Sequence, residues 1–208
     1  MTQLQRDYVE LHAHSAFSLG DGASTPEALV SRAAALGMTA LALTDHDDLG
    51  GAVRFARGCE EAGISPIFGA EITLADRSHL TLLVENPTGW GNLCTLLSRG
   101  RMERPRGEPG VPFEALAEHA AGLVALTGCP RGRIPQLLVQ ERFDEARAEA
   151  GRLRDLFGDR LYLELWDHRT HGEASLCADL LDLARETGIP WTVTHTSRSC
   201  TARPSGAA

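Results

Sequence analysis

Short apolar runs alternating with amphipathic stretches constrain this chain more than any other feature. Seven runs suit strands, at residues 8–11, 39–44, 64–68, 79–84, 122–126, 161–165 and 190–194. Helix signals follow most of them. Thr25-Pro26-Glu27 supplies an N-cap, a proline at the first helical position and an acid in the first turn, and Leu29, Ala33 and Leu36 then recur at helical spacing before Gly37. A second helix is expected over residues 48–63 with Val53, Ala56 and Cys59 inward, and a third over 88–97 with Trp90, Leu93 and Leu97 on one stripe. Residues 113–119 and 134–139 suit short helices; Phe143 to Phe157, and Leu176 to Leu183, mark two longer ones ended by Gly158 and Gly188. Such a repeat predicts an α/β fold with a mostly parallel sheet and helices outside it. No Gly-x-Gly-x-x-Gly opens the first helix, and the polar residues gather at strand C-terminal ends, so a closed or nearly closed barrel is expected rather than a dinucleotide-binding sheet.

Composition narrows the chemistry. The 208 residues suit one domain over 8–194, with a short lead at 1–7 and an irregular, disordered tail at 195–208. A net charge of −8 makes non-specific nucleic-acid binding poor outside local patches. All twenty basic residues are arginine, which excludes Schiff-base chemistry, a Walker lysine and a carbamylated-lysine metal bridge. Five scattered cysteines, with no C-x-x-C pair, point to a reducing compartment. With no signal-peptide core and no apolar run near the roughly 18 residues of a membrane span, a cytoplasmic protein with no membrane partner is expected. The basic cluster Arg99, Arg101, Arg104 and Arg106, in a Pro/Gly-rich loop over 99–112, is either a DNA-phosphate contact or a solvated loop.

The residues at the strand ends carry the chemistry. His12 and His14 leave the first strand two positions apart and so on one face, and Asp21 follows in a glycine-flanked turn. The second strand ends in Thr44-Asp45-His46 and the third in Glu71; the fourth begins at His79, and the fifth runs into Cys129. Imidazole, carboxylate and thiol are ligand types for divalent transition metals. Each alone has a bland reading as a cap, a surface acid or a buried thiol; together, at successive strand ends, they point to a metal site. Asp167, His168 and His171 follow the sixth strand and read as a solvated loop.

The pieces His12-Ala-His14-Ser15, Thr44-Asp45-His46, Phe68-Gly69-Ala70-Glu71 and Gly128-Cys129 resemble the successive motifs of the PHP (polymerase and histidinol phosphatase) family. More narrowly, the chain resembles the N-terminal PHP domain of bacterial C-family DNA polymerases of the error-prone, alpha-subunit-like kind. The resemblance implies a distorted seven-stranded (β/α)7, TIM-like barrel. It implies metal ligands at His12, His14, Asp21, His46, Glu71, His79 and Cys129, with Asp45 and His46 at the reacting centre. It also implies up to three Zn²⁺ or Mn²⁺ ions and phosphoester hydrolysis, which in DNA polymerases serves as a 3′–5′ exonuclease. Its partners would be DNA, through polymerase domains absent from this chain, and other replication or mutagenesis proteins; the chain alone would not polymerise DNA.

Two departures stand out. Gly20 replaces an apolar residue and is expected to loosen the Asp21 turn by up to roughly 1 kcal/mol. After Thr194 the family's Asn-Asp-x-His is replaced by His195-Thr196-Ser197-Arg198, as in a truncated or frameshifted gene; His195 could stand in as a ligand by a register shift. The readings left open are therefore a metal-dependent phosphoesterase or exonuclease domain, a non-catalytic structural module of such a polymerase, and a stand-alone PHP phosphatase. An amidohydrolase barrel also begins with His-x-His, but the absence of lysine and the Thr-Asp-His motif speak against it.

Overall fold

A computed structural model describes residues 8–105, 107–166 and 172–195. The expected lead, the tail from residue 196 onward, Arg106, Asp167, His168 and His171 lie outside the described residues. The described chain divides into two compact units between Phe68 and Gly69, each built on its own core.

The first unit holds α1 (Pro26–Ala35), β1 (Ala40–Leu43), α2 (Ala52–Ala62) and the start of β2 (Ser65–Thr73). Thr25 caps α1 as expected, its side chain accepting the Ala28 N–H. β1 runs parallel to β2 from Ala40↔Ser65 to Leu43↔Phe68. Leu29, Val30, Ala33, Leu41, Leu43, Phe55, Cys59 and Ile64 close around Ala13 as the core, with Phe68 edge-on to Phe55 at 5.9 Å. The expected phase of α2 is corrected: Ala52, Phe55 and Cys59 point inward, while Val53 is 65% exposed. Phe55 offers the larger apolar surface, and a helix can turn only one stripe to the core.

The second unit contains the rest of β2, β3 (His79–Val84), α3 (Pro87–Met102), α4 (Phe113–Glu118), β4 (Leu123–Leu126), α5 (Arg133–Val139), α6 (Phe143–Phe157), β5 (Leu161–Leu165), α7 (Glu173–Thr187) and β6 (Trp191–Val193). Here the expectation of a mostly parallel sheet is corrected to a mixed one. β2 pairs antiparallel with β3, and β3 with β4, before β5 and β6 continue in parallel. The cause is local: five residues separate β2 from β3, whereas a parallel crossover needs about a dozen. β2 also runs on past Phe68 to Thr73, and α3 continues to Met102 through part of the expected 99–112 loop.

Six strands are named among the described residues, not seven. The expected first strand forms no named strand among the described residues; it carries the bridge Glu10↔Leu41 and the bonds Ala42 N–H to Glu10 C=O (2.8 Å) and Thr44 N–H to Ala13 C=O (2.9 Å). Among the described residues no helix is long and apolar enough to cross a membrane.

Candidate metal centre

In the first unit the two bonds just given span two residues of β1 but three of the opposing segment. One extra residue is therefore accommodated between Glu10 and Ala13, as in a bulge. Ala13, fully buried, points into the core, which turns His12 and His14 the other way, also fully buried. Their Nε2 atoms lie 2.9 Å apart while the ring centroids are 5.0 Å apart, so the ring edges, not the faces, meet. Two imidazole nitrogens about 2.0–2.1 Å from one divalent cation are about 2.9 Å apart at an octahedral angle of about 90° and about 3.3 Å apart at the tetrahedral angle usual for Zn²⁺. The observed separation lies close to the bite of a divalent cation. His14 Nδ1 meets Asp21 Oδ2 at 3.1 Å, and the His46 ring stands edge-on to His14 at 5.3 Å.

The loop that brings Asp21 back is tightly specified. Asp45 accepts the Ser15 N–H at 2.6 Å and the Ser15 and Ser18 hydroxyls at 2.8 Å each, and Ser18 Oγ accepts the His46 N–H at 2.9 Å. Burial pushes the Asp45 carboxyl up, and the Ser15 and Ser18 bonds oppose that shift. Asp45, expected beside His46 at the reacting centre, thus faces the loop. Gly22 passes so near Ser15 that a Cβ there would sit 1.8 Å from the Ser15 carbonyl oxygen. The expected loosening by Gly20 is corrected in sign: its φ of +83° is left-handed, where glycine relieves strain. Glu10 is also buried, and its carboxylate accepts the His12 N–H at 3.0 Å and the Tyr8 hydroxyl at 2.8 Å.

In the second unit the antiparallel register Thr73↔His79 and Glu71↔Thr81 places Glu71 and His79 on one face. His79 Nδ1 lies 3.3 Å from Glu71 Oε1 and 3.3 Å from Cys129 Sγ, and all three residues are buried. The turn carrying Cys129 is stitched to β3. The Arg131 carbonyl accepts the His79 N–H at 3.1 Å, and the Arg131 N–H donates to Cys129 Sγ at 3.3 Å. Burial, and then the Glu71 carboxylate, push the Cys129 thiol far up, so it stays protonated until a cation displaces its proton. Carboxylate, imidazole and thiol converging on one point form a donor set that fits a transition metal.

His195 lies exposed just past β6. Sequence reasoning missed Glu164 on β5, which is 1% exposed. Its carboxylate accepts the Thr194 hydroxyl at 2.6 Å, and its N–H donates to Thr127 Oγ1 at 3.0 Å, linking the ends of β4, β5 and β6. The signal was available: a glutamate in Leu-Tyr-Leu-Glu-Leu, on a strand whose alternate leucines are all buried. A carboxylate is costly to bury unless it is bonded or holds a cation.

Residues 10–168 match the PHP domain. The chain is 45% identical over 203 residues to an error-prone DNA polymerase of Symbiobacterium thermophilum, covering 90% of this chain and 19% of that protein. It is 41% identical over 203 residues to the DNA polymerase III subunit alpha of Treponema pallidum, covering 90% of this chain and 17% of that one. It thus spans about a fifth of the length of these curated relatives. The solved structure of a candidate metal-dependent phosphoesterase from Bifidobacterium adolescentis superposes with a TM-score of 0.64 at 20% identity, over 95% of this chain and 90% of that one, a likeness of fold. With motif, fold and match in agreement over residues 10–168, the chain belongs to the PHP domain family.

Proposed function

We propose that this chain is the PHP module of an error-prone, alpha-subunit-type DNA polymerase and carries a divalent-metal phosphoesterase site of the 3′–5′ exonuclease kind. The first unit offers His12, His14 and His46 as ligands, with Asp21 on the far nitrogen of His14, and the second unit offers Glu71, His79 and Cys129 as a set of its own. The observation that carries the reading is the 2.9 Å convergence of the His12 and His14 Nε2 atoms, locked by the buried Ala13 between them. When bound, Zn²⁺ or Mn²⁺ would lower the pKa of a coordinated water and polarise the phosphoryl oxygen.

The chain's own residues prepare that chemistry. Asp21 holds the His14 ring by Nδ1, which leaves Nε2 as the donor. Asp45 acts through the loop it ties, keeping Asp21 and the His46 backbone in place. Cys129 would give up its proton to hold a cation, which would link metal affinity to pH. Residues 8–11 would supply the seventh strand of the family's (β/α)7 barrel, a reading supported by the Ala42 N–H to Glu10 carbonyl bond. Within a full-length polymerase the partners would be DNA and replication or mutagenesis proteins, in the cytoplasm.

Metal analysis of chelator-free protein tests the reading. At least one equivalent of Zn or Mn is expected, with hydrolysis of a 3′-terminal nucleotide that His14→Ala abolishes; less than about a tenth of an equivalent overturns it. A second reading, a non-catalytic module, is favoured by the exposed His195 and by the absence of the family's Asp-x-His after Thr194. It predicts that His14→Ala leaves metal content and stability unchanged.

A further inference from the structure

We propose that Arg77, Arg131 and Arg133, with Arg104 beside them, form a rim that binds the sugar–phosphate backbone of a single nucleic-acid strand next to the Glu71–His79–Cys129 set. The proposal rests on the phosphoesterase reading above and names the residues that would hold the strand at that site. Three loops of the second unit meet here. Arg131 stands between two of the proposed ligands, its N–H on Cys129 Sγ and its carbonyl on the His79 N–H, while its side chain is exposed. Arg133 Nε lies 4.0 Å from Asp76 Oδ2 on the β2–β3 hairpin. Arg104 Nη2 donates to the Ala75 carbonyl of the same hairpin at 2.8 Å.

Arg77 is the most informative member. In the hairpin the Arg77 N–H donates to the Leu74 carbonyl at 2.9 Å and the Leu74 N–H to the Ser78 carbonyl at 2.8 Å, which is a three-residue loop closed at a left-handed position. Glycine is the usual residue there, yet Arg77 occupies it with φ +72° and an exposed side chain. Backbone strain accepted at an exposed arginine beside a ligand set points to a use for the guanidinium. Against these four arginines the same loops carry the acids Asp76, Glu103 and Glu108, and Glu103 is paired with Arg99, so positive charge is in local excess on a chain of net charge −8. Spread over three loops, the four arginines suit successive phosphates of a polymer better than one small phosphate ester. The cluster singled out from the sequence contributes Arg104 but not Arg99, which is paired with Glu103 and Glu118.

The test is fluorescence anisotropy of a labelled oligothymidylate of about twelve nucleotides, with the 208-residue chain in EDTA so that binding is read without metal. Three phosphate contacts predict that log K falls with log salt at a slope of about −2. Arg77→Gly, which suits the left-handed turn, and Arg131→Gln should each reduce that slope by about 0.7 and weaken binding several-fold at low salt. Arg99→Gln should change neither. Unchanged slopes in both rim variants, or equally tight binding of an acidic peptide of the same charge, would overturn the proposal. Oligonucleotide binding with the predicted slope in protein that takes up no metal upholds the rim and removes only the metal reading.

Discussion

Asp21→Asn tests the geometry of the first ligand set at a partly exposed member. The substitution keeps size and the capacity to hydrogen-bond but removes the negative charge that lies 3.1 Å from His14 Nδ1. A carboxylate there fixes the ring and raises the basicity of the opposite nitrogen, and loss of such partners typically costs 10–100-fold in metal affinity, or about 1.4–2.7 kcal/mol. The Asp21 side chain is 25% exposed, so solvent screens part of its charge and the lower half of that range is expected. The fold should survive, because the loop is closed by backbone bonds from Asp21 and Gly22 to the Ser18 carbonyl, at 3.0 and 2.9 Å, that the variant retains. Competition of Mn²⁺ or Zn²⁺ against a chromophoric chelator, with circular dichroism as the control for folding, gives the affinity ratio directly. A ratio below about threefold in a folded variant would refute the assignment of Asp21 to His14; a loss beyond about a thousandfold would make Asp21 a direct ligand.

Other outcomes follow from single observations. Arg77→Gly should stabilise the chain by about 1 kcal/mol, because glycine removes the left-handed strain, and should raise Tm by about 2–4 °C in a thermal melt; a lower Tm would contradict the turn assignment. Because the buried Cys129 thiol is held protonated, Zn²⁺ affinity should rise at least about tenfold per pH unit through neutrality; equal affinities at about pH 6.5 and 7.5 would exclude Cys129 as a ligand. Phe55→Ala, at a fully buried position, should cost about 3–5 kcal/mol in denaturant unfolding, whereas Val53→Ala, 65% exposed, should cost less than about 0.5. Cys59, buried and with its thiol pushed up to about 11, should resist alkylation at neutral pH until the chain unfolds.

Much of the candidate site was legible in the chain because its residues are chemically out of place where they stand. Histidines two apart at a strand end, and a thiol between glycine and proline, are poor choices for filling a core. The same logic applied to Glu164, a carboxylate among buried leucines, but it sits in mid-strand rather than after one, and so escaped notice. Helix faces were legible only to within a residue or so: the stripe through Val53 and the stripe through Phe55 both fit a 3.6-residue period, and only packing against α1 and β1 chose between them.

The alternation of apolar runs and capped helices by itself determined an α/β chain, its helix start at Thr25, and the residue types available for metal binding. Tertiary structure decided the rest. The five-residue connection after Thr73 reversed β3 and put Glu71 and His79 on one face. The bulge at residues 10–13 set the His12–His14 bite, and the left-handed backbone at Gly20 reversed the loosening expected of a glycine there. Periodicity and capping act between residues a few positions apart and can be read along the chain. Strand direction, ligand convergence and backbone handedness depend on partners that only folding brings within hydrogen-bond distance.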